Sequence, residues 1–212
     1  MTRTRIKICG VTSAADAAAA VAAGADAIGV IFAPSPRQVC VEQAAAVLAA
    51  VPPPVARVGV FVDASAEEVA TAVSACGLTA VQFSGSESPE DCDAAPVPVI
   101  KMVPIGMDFG LEGAEPFRGH TAALLLDTYA ADKAGGTSQT FDWRPLGAVP
   151  GWAPFFVAGG LNPDNVGKCI AVLRPFAVDV SSGVESSFGV KDHAKLSALC
   201  AAVRAADLGV WG

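Results

Sequence analysis

Short apolar runs alternate with alanine-rich segments from one end of the chain to the other. The apolar runs predict eight strands, at Arg5–Cys9, Ala27–Phe32, Arg57–Val62, Ala80–Phe83, Val99–Val103, Ala122–Leu126, Phe155–Ala158 and Ala177–Val180. Strands that alternate with helices form a parallel sheet with right-handed crossovers, and eight such units allow the sheet to close. We therefore predict an α/β protein with one domain over residues 1–212, a (β/α)₈ TIM barrel with eight parallel strands.

The segments between the strands predict helices of unequal strength. They lie at Ala14–Ala23, Val41–Ala50, Asp63–Ala75, a short stretch after Pro89, Glu112–Phe117, Pro163–Leu173 and Asp192–Ala206. Ser13 or Thr12 is placed to cap the first of them and Gly24 to end it. An open doubly wound sheet is the alternative architecture, but no GxGxxG motif follows the first strand.

Composition narrows the classes of function. Of the 212 residues, 52% are apolar, yet no uninterrupted apolar run reaches the roughly 18 residues that span a membrane. The start of the chain lacks a signal-peptide pattern, so we expect a cytoplasmic protein with no membrane partner. The net charge of −7 disfavours nucleic acid as a partner and requires that any anionic ligand be held by local features.

Cysteine and histidine spacing gives no sign of a metal centre. The six cysteines have no CxxC spacing, and the chain has two histidines. We therefore predict no metal and no zinc site. Apart from Cys9, the cysteines are expected to be buried small apolar residues.

Two glycine-rich loops form the clearest candidate ligand site. Gly159 and Gly160 follow the seventh strand, and Ser181, Ser182 and Gly183 follow the eighth. Paired glycines let backbone N–H groups approach an anion closely, and these two loops commonly bind phosphate in such barrels. The alternative is a pair of ordinary turns; we predict a site for a phosphorylated small molecule.

Two reactive side chains are expected at the same end of the barrel. Asp127 follows a strand of five apolar residues, where partial burial would raise its pKa and suit a general acid; a helix cap or a loop salt bridge is the alternative. Cys9 could be a plain core residue. Its thiol could instead act as a base if a cation lowered its pKa, and Lys7 faces the same way along the strand.

Several motifs, taken together and in order, resemble the phosphoribosylanthranilate isomerase family of tryptophan biosynthesis. They are KICG at Lys7–Gly10, SPR at Ser35–Arg37, LLLDT at Leu124–Thr128, GGT and FDW between Gly135 and Trp143, GGLNPDNV, and SSGVE followed by GVKD. KICG alone could occur by chance, whereas the ordered set is specific. The resemblance covers nearly the whole chain.

The resemblance implies an Amadori rearrangement of N-(5′-phosphoribosyl)anthranilate without metal or cofactor. It implies Asp127 as the general acid and Cys9 as the general base. It further implies that Arg37 binds the anthranilate carboxylate, that Lys7 is a charge partner of the thiolate and that Asp179 contacts substrate or orders the last loop. The phosphate would lie on the residues named above, Gly159, Gly160, Ser181, Ser182 and Gly183.

The chain also departs from the family pattern. QFSG at Gln82–Gly85 replaces the common QLHG, and GGTS at Gly135–Ser138 replaces GGTG. One rival function is a bifunctional isomerase that uses two aspartates, which Cys9 in place of an aspartate argues against. A second rival is a catalytically silent barrel that only binds phosphorylated metabolites or a protein. Either a monomer or a homodimer is compatible with the sequence.

Overall fold

The protein was analysed as a computed structural model that describes residues 3–105, 111–128 and 151–211. Eight parallel strands form a closed barrel in sequential order, which confirms the predicted fold class. Their bounds are β1 Arg5–Ile8, β2 Ala27–Ile31, β3 Ala56–Phe61, β4 Ala80–Phe83, β5 Val99–Ile105, β6 Ala123–Thr128, β7 Phe155–Ala158 and β8 Ala177–Val180.

Helices occupy the crossovers that the structure describes. Their bounds are α1 Ala14–Ala23, α2 Val41–Leu48, α3 Ala66–Cys76, α4 Pro89–Ala94, α5 Val166–Leu173 and α6 His193–Trp211, with 3₁₀ turns at Leu111–Phe117 and Ser182–Val184. Of the two predicted caps of α1, Ser13 is the one used: its hydroxyl accepts a hydrogen bond from the Asp16 N–H. Gly24 ends the helix with φ of 108°. The left-handed backbone conformation at this position favours glycine.

Three details of the sequence-based prediction were wrong. Asp127 lies inside β6 and does not follow it. Helix α5 begins at Val166 and not at Pro163, because the Asn162 side chain accepts hydrogen bonds from the Asp164 and Asn165 N–H groups and so forms a turn first. Cys40 is exposed and not buried.

One element was missed, and one predicted segment lies outside the described residues. A short antiparallel hairpin, β9 at Glu185–Ser187 and β10 at Val190–Lys191, follows β8. Its strands are too short to give a period-two signal. The segments containing GGTS and FDW fall within residues 129–150, which are not described.

Two apolar cores hold the barrel together. The larger lies between the strands and the helices and includes Ile6, Ile28 and Leu124, all fully buried. The smaller fills the barrel interior with residues such as Val58, Ile100, Leu125 and Phe156. Alternate residues of each strand face each core, so side chains that follow the interior core toward the strand ends point into one shared site.

Carboxylates organise the opposite, N-terminal end of the barrel. Asp207 accepts hydrogen bonds from the Thr4 N–H and hydroxyl, at 2.9 and 2.7 Å. Asp26 accepts one from the Ile6 N–H at 2.9 Å and pairs with Arg3. None of the helices in the described ranges is long and apolar enough to cross a membrane.

Candidate active site

Lys7 lies at the centre of the C-terminal end of the barrel. Its side chain is fully buried, and its ammonium donates to Asp179 Oδ2 at 2.9 Å and to Gln82 Oε1 at 2.8 Å. Asp179 is its direct neighbour across the β1–β8 ladder. Burial alone would lower the pKa of Lys7, but Asp179 and Cys9 outweigh it and hold that pKa above its ordinary value. Lys7 therefore carries a positive charge inside the barrel.

Cys9 follows β1 directly, with its thiol next to this ammonium. The residue is 7% exposed, and a methyl group added to Gly29 on β2 would lie 3.1 Å from its Sγ. Lys7 and Lys191 both favour the thiolate, as the sequence suggested for Lys7. Burial and the negative charge of Asp179 oppose them, and burial raises the pKa of Cys9 above its ordinary value. The resting side chain is thus a neutral thiol beside a cation.

Asp127 reaches the same site from β6, where it is aligned with Ala158 of β7. Burial, helped by the nearby Asp179 carboxylate, raises the pKa of Asp127 to about 6, although Lys7 pulls it the other way. The expected raised pKa is thereby confirmed, with its predicted cause. A carboxyl group with such a pKa retains its proton in a useful fraction of molecules near neutral pH.

Arg37 enters from the loop after β2, and its geometry is set by a partner that the sequence did not reveal. Its Nε and Nη2 donate to the two oxygens of Glu185, each at 2.7 Å, while its guanidinium lies 5.2 Å from the centre of the Phe188 ring. Although burial opposes it, the hydrogen bonds from Arg37 and Lys191 lower the pKa of Glu185. Two of the guanidinium nitrogens are therefore committed to an internal carboxylate.

Lys191 joins the loop after β8 to the end of β1. Its ammonium donates to the Cys9 carbonyl oxygen at 2.7 Å, to Glu185 Oε1 at 2.8 Å and to the Ser181 carbonyl oxygen at 3.2 Å. Gly10 lies at the same junction with φ of +68°, and a methyl group there would lie 2.5 Å from Arg37 Cδ. The loops after β1, β2 and β8 consequently form one packed unit.

The two predicted phosphate loops are in direct contact. Gly159 and Gly160 have φ of 91° and 64°, which favour glycine. A Cβ at Gly183 would overlap the carbonyl oxygen of Leu161, so a larger residue there would force the loops apart. The Asn165 side chain donates to the Gly160 carbonyl oxygen at 2.9 Å and fixes the first loop.

Two buried polar atoms at this end lack a hydrogen-bond partner among the described residues. They are Asp179 Oδ1 and Ser181 Oγ. Buried polar atoms of folded proteins are almost always paired, so an orphan at a candidate site indicates a group that a ligand completes. Both belong to the set predicted from the sequence.

The structure thus brings the sequence-predicted residues to one end of the barrel, in two groups. Lys7, Cys9, Asp127 and Asp179 interact electrostatically within the interior. The remaining predicted residues are Arg37, Gly159, Gly160, Ser181, Ser182 and Gly183, on the surrounding loops. Sequence reasoning missed Gln82, Glu185 and Lys191 as site residues. Gln82 had a signal as a polar residue in a short buried strand, and Glu185 and Lys191 lie in the SSGVE and GVKD motifs. No set of three or more His, Cys, Asp or Glu side chains in the described ranges could hold a metal ion, and the prediction that the site uses no metal or cofactor stays a prediction.

Comparisons with known proteins agree with this geometry. The model of the N-(5′phosphoribosyl)anthranilate (PRA) isomerase family matches residues 6–202. The chain is 47% identical over 207 residues to an N-(5′-phosphoribosyl)anthranilate isomerase of Pseudomonas fluorescens strain Pf-5, covering 96% of this chain and 97% of that one. A Pseudomonas putida KT2440 relative of the same name is 46% identical, over 97% of this chain and all of its own.

Solved structures give the same result. The chain is similar to the crystal structure of phosphoribosyl anthranilate isomerase from Thermotoga maritima, with a TM-score of 0.83 and 37% identity over 95% of this chain and 99% of that one. Another similar structure, with a TM-score of 0.80 and 36% identity over 95% of this chain and 99% of that one, is a phosphoribosyl anthranilate isomerase in complex with reduced 1-(o-carboxyphenylamino)-1-deoxyribulose 5-phosphate.

Proposed function

This chain belongs to the N-(5′-phosphoribosyl)anthranilate isomerase family, whose reaction serves tryptophan biosynthesis, and we propose that Cys9 and Asp127 are the general base and general acid of that isomerisation. The observation that carries the proposal is their shared position. A neutral thiol beside a buried ammonium and a carboxyl group with a pKa of about 6 occupy the same interior end of the barrel.

In the first step, Asp127 protonates the ring oxygen of the ribose. The bond from C1′ to that oxygen breaks, and the nitrogen lone pair forms an iminium ion. A carboxyl group can do this only while protonated, and its partial burial keeps the proton available near neutral pH. Asp127 leaves this step as a carboxylate.

In the second step, the Cys9 thiolate removes the proton from C2′. The electron pair of that bond forms the double bond between C1′ and C2′, and the iminium electron pair returns to nitrogen, which gives an enolamine. C1′ then takes up a proton while the 2′-hydroxyl gives one up, and the ketose product results. The thiolate is the minor form of Cys9, because burial raises its pKa. The Lys7 ammonium stabilises the thiolate, so the cation lowers the energy of the reactive form and not of the resting thiol.

The surrounding loops supply the binding groups of the proposal. The phosphate is bound by the contacting loops at Gly159–Gly160 and at Ser181–Gly183, with the unpaired Ser181 hydroxyl as one donor. The orphaned Asp179 Oδ1 accepts a hydrogen bond from a sugar hydroxyl. Both assignments give a partner to an atom that lacks one within the described residues.

Arg37 binds the anthranilate carboxylate through Nη1, the nitrogen that does not bind Glu185. Arg37→Ala should raise KM about tenfold or more with a smaller change in kcat, because a charge-assisted hydrogen bond to substrate is lost. Steady-state kinetics measures both constants. Because the change also removes two of the hydrogen bonds to Glu185 and leaves it only the one from Lys191 among the described residues, Arg37→Lys is the milder companion variant, and an unchanged KM in both would refute the carboxylate role.

Three broader expectations complete the proposal. One barrel domain over residues 1–212 carries the activity, the protein is a monomer or homodimer, and it works in the cytoplasm without a membrane or nucleic-acid partner. A similar solved structure is of monomers generated from the dimeric isomerase of Thermotoga maritima, which supports the view that this fold exists in either assembly.

The decisive experiment follows the fluorescence of phosphoribosylanthranilate made in situ. Purified enzyme should accelerate its loss and form 1-(o-carboxyphenylamino)-1-deoxyribulose 5-phosphate. The Cys9→Ala, Asp127→Asn double variant is the matched control, since it keeps the loops that bind the phosphate. Binding of substrate by the wild type without turnover at micromolar enzyme would instead favour the silent barrel.

A further inference from the structure

Gln82 on β4 connects Lys7 to a serine on the far side of the barrel interior. Its Oε1 accepts from Lys7 Nζ at 2.8 Å, and its Nε2 donates to Ser84 Oγ at 2.9 Å. Gln82 is 6% exposed. Neither residue belongs to the acid–base pair, the phosphate loops or the carboxylate site.

The chemistry of these groups fixes the orientation of the amide. An ammonium group can only donate hydrogen bonds, so the amide oxygen must face Lys7. The amide NH₂ group then faces Ser84, whose hydroxyl can accept. Lys7 therefore determines which end of the Gln82 amide faces it, and Ser84 anchors the other end.

This contact holds Lys7 from a second direction. Asp179 lies on β8, which is adjacent to β1, whereas β4 is three strands away in the barrel order. The ammonium thus has a carboxylate on one side and an amide oxygen on the other, with the Cys9 thiol as its third polar neighbour. Without Gln82, a flexible lysine would pair with Asp179 alone.

We propose that Gln82, anchored by Ser84, is a positioning residue that holds the Lys7 ammonium against Cys9. The proposal rests on the proposed function, in which Cys9 is the base. A neutral acceptor suits this task, because a carboxylate at the same place would offset the positive charge that stabilises the thiolate. Gln82 thus orients the cation without reducing its effect on sulfur.

The charged groups around the Cys9 thiol come from several elements, and the proposal involves a movement of only one of them, the Lys7 ammonium. Besides Lys7, Cys9 responds to Asp179 of β8 and Lys191 of β10, and it affects Arg37 of the loop after β2. Asp127 of β6 responds to both Lys7 and Asp179. Removing the Gln82 oxygen leaves all these charges present and moves the ammonium toward Asp179.

The test is a titration of the Cys9 thiol in the intact enzyme without substrate. Thiolate absorbance in the ultraviolet is recorded against pH, and the same curve for Cys9→Ala is subtracted to remove the other cysteines. Gln82→Met keeps the side-chain length without the acceptor, and Ser84→Ala removes the anchor. Ser84→Thr retains a hydroxyl, and Gln43→Met on the exposed surface of α2 is the control.

We expect a large effect on the thiol titration and on kcat in Gln82→Met, a smaller one in Ser84→Ala, and none where the hydroxyl is retained. Gln82→Met should move the midpoint of thiolate formation to higher pH and lower kcat roughly threefold to thirtyfold with a smaller change in KM, since a weakened base affects the chemical step. Ser84→Ala should do the same to a lesser extent, and Ser84→Thr and Gln43→Met should match the wild type.

One result would overturn the proposal. It is a wild-type thiol titration in folded Gln82→Met, and a fall in kcat alongside it would indicate a merely structural role. Failure of the underlying function is separate: it would appear as full turnover in Cys9→Ala, while the titration of Cys9 in Gln82→Met would still be measurable.

Discussion

Aspartate side chains have opposite roles at the two ends of the barrel. At the N-terminal end, the Asp207 carboxylate satisfies the Thr4 N–H and hydroxyl, and Asp26 satisfies the Ile6 N–H. At the C-terminal end, Asp179 has one oxygen without a partner within the described residues, and Asp127 is held with a raised pKa.

The difference shows where the protein has stability and where it has chemistry. Fully paired carboxylates stabilise a fold, since each donor that they satisfy would otherwise be buried unpaired. An orphaned oxygen and a carboxyl group kept from its ordinary ionisation lower stability, and such features persist at sites that act on a ligand. Substitutions at the two ends should therefore have opposite effects.

The largest expected effect is on turnover at the C-terminal end. Cys9→Ala and Asp127→Asn should each lower kcat roughly 10²–10⁴-fold, as the loss of a general base or acid does. Each protein should remain folded by circular dichroism. Near-wild-type turnover in either variant would remove that residue from the mechanism and weaken the contrast between the ends.

Next in size is a loss of stability at the N-terminal end. Asp207→Ala should lower the free energy of unfolding by about 1–3 kcal/mol, because it leaves the buried Thr4 donors without an acceptor. Urea denaturation measures the loss, and kcat of the folded fraction should be unchanged. An unaltered unfolding midpoint, or a large fall in kcat of the folded enzyme, would break the comparison.

The smallest effect is a gain of stability at the C-terminal end. Because the pKa of Asp127 is raised to about 6 in the folded state, its contribution is favourable below the unfolded pKa and is lost as pH rises through about 6. At pH 7 the folded state therefore bears the cost of ionising a buried carboxyl group. Asp127→Asn removes this cost, so its free energy of unfolding at pH 7 should be about 1–2 kcal/mol higher than that of the wild type.

Denaturation of wild type and Asp127→Asn at two pH values tests this gain. The advantage of the variant should shrink as the pH falls from about 6 toward the ordinary value of 3.8, and it should vanish below that value, where Asp127 is protonated in both states. Destabilisation at both values would mean that the Asp127 carboxylate is a structural group like Asp207.

The sequence predicted those features that depend on neighbours along the chain. Lys7 and Cys9 face the same site because side chains alternate along a strand. Gly159 and Gly160 indicate a loop by themselves, so no knowledge of the residues that contact this loop is needed. The helix at Val166 starts late because of a local asparagine turn, which the presence of Pro163 concealed.

Contacts between residues far apart in the sequence could not be predicted from the sequence. Gln82 contacts Lys7 across 75 positions, and Lys191 contacts Cys9 across 182. Neither pairing leaves a periodic signal in a single sequence. For the same reason Arg37 could be placed in the site, but its bidentate partner Glu185, 148 positions away, could not be identified.

A kinetic isotope effect with substrate deuterated at C2′ tests most directly whether Asp127 and Cys9 act at different steps. If Asp127 opens the ring and Cys9 removes the C2′ proton, the effect on kcat/KM should be large in Cys9→Ser, where proton removal limits the rate. It should disappear in Asp127→Asn, where ring opening limits the rate before that bond breaks. A large effect in Asp127→Asn, or none in Cys9→Ser, would contradict the assignment of acid and base.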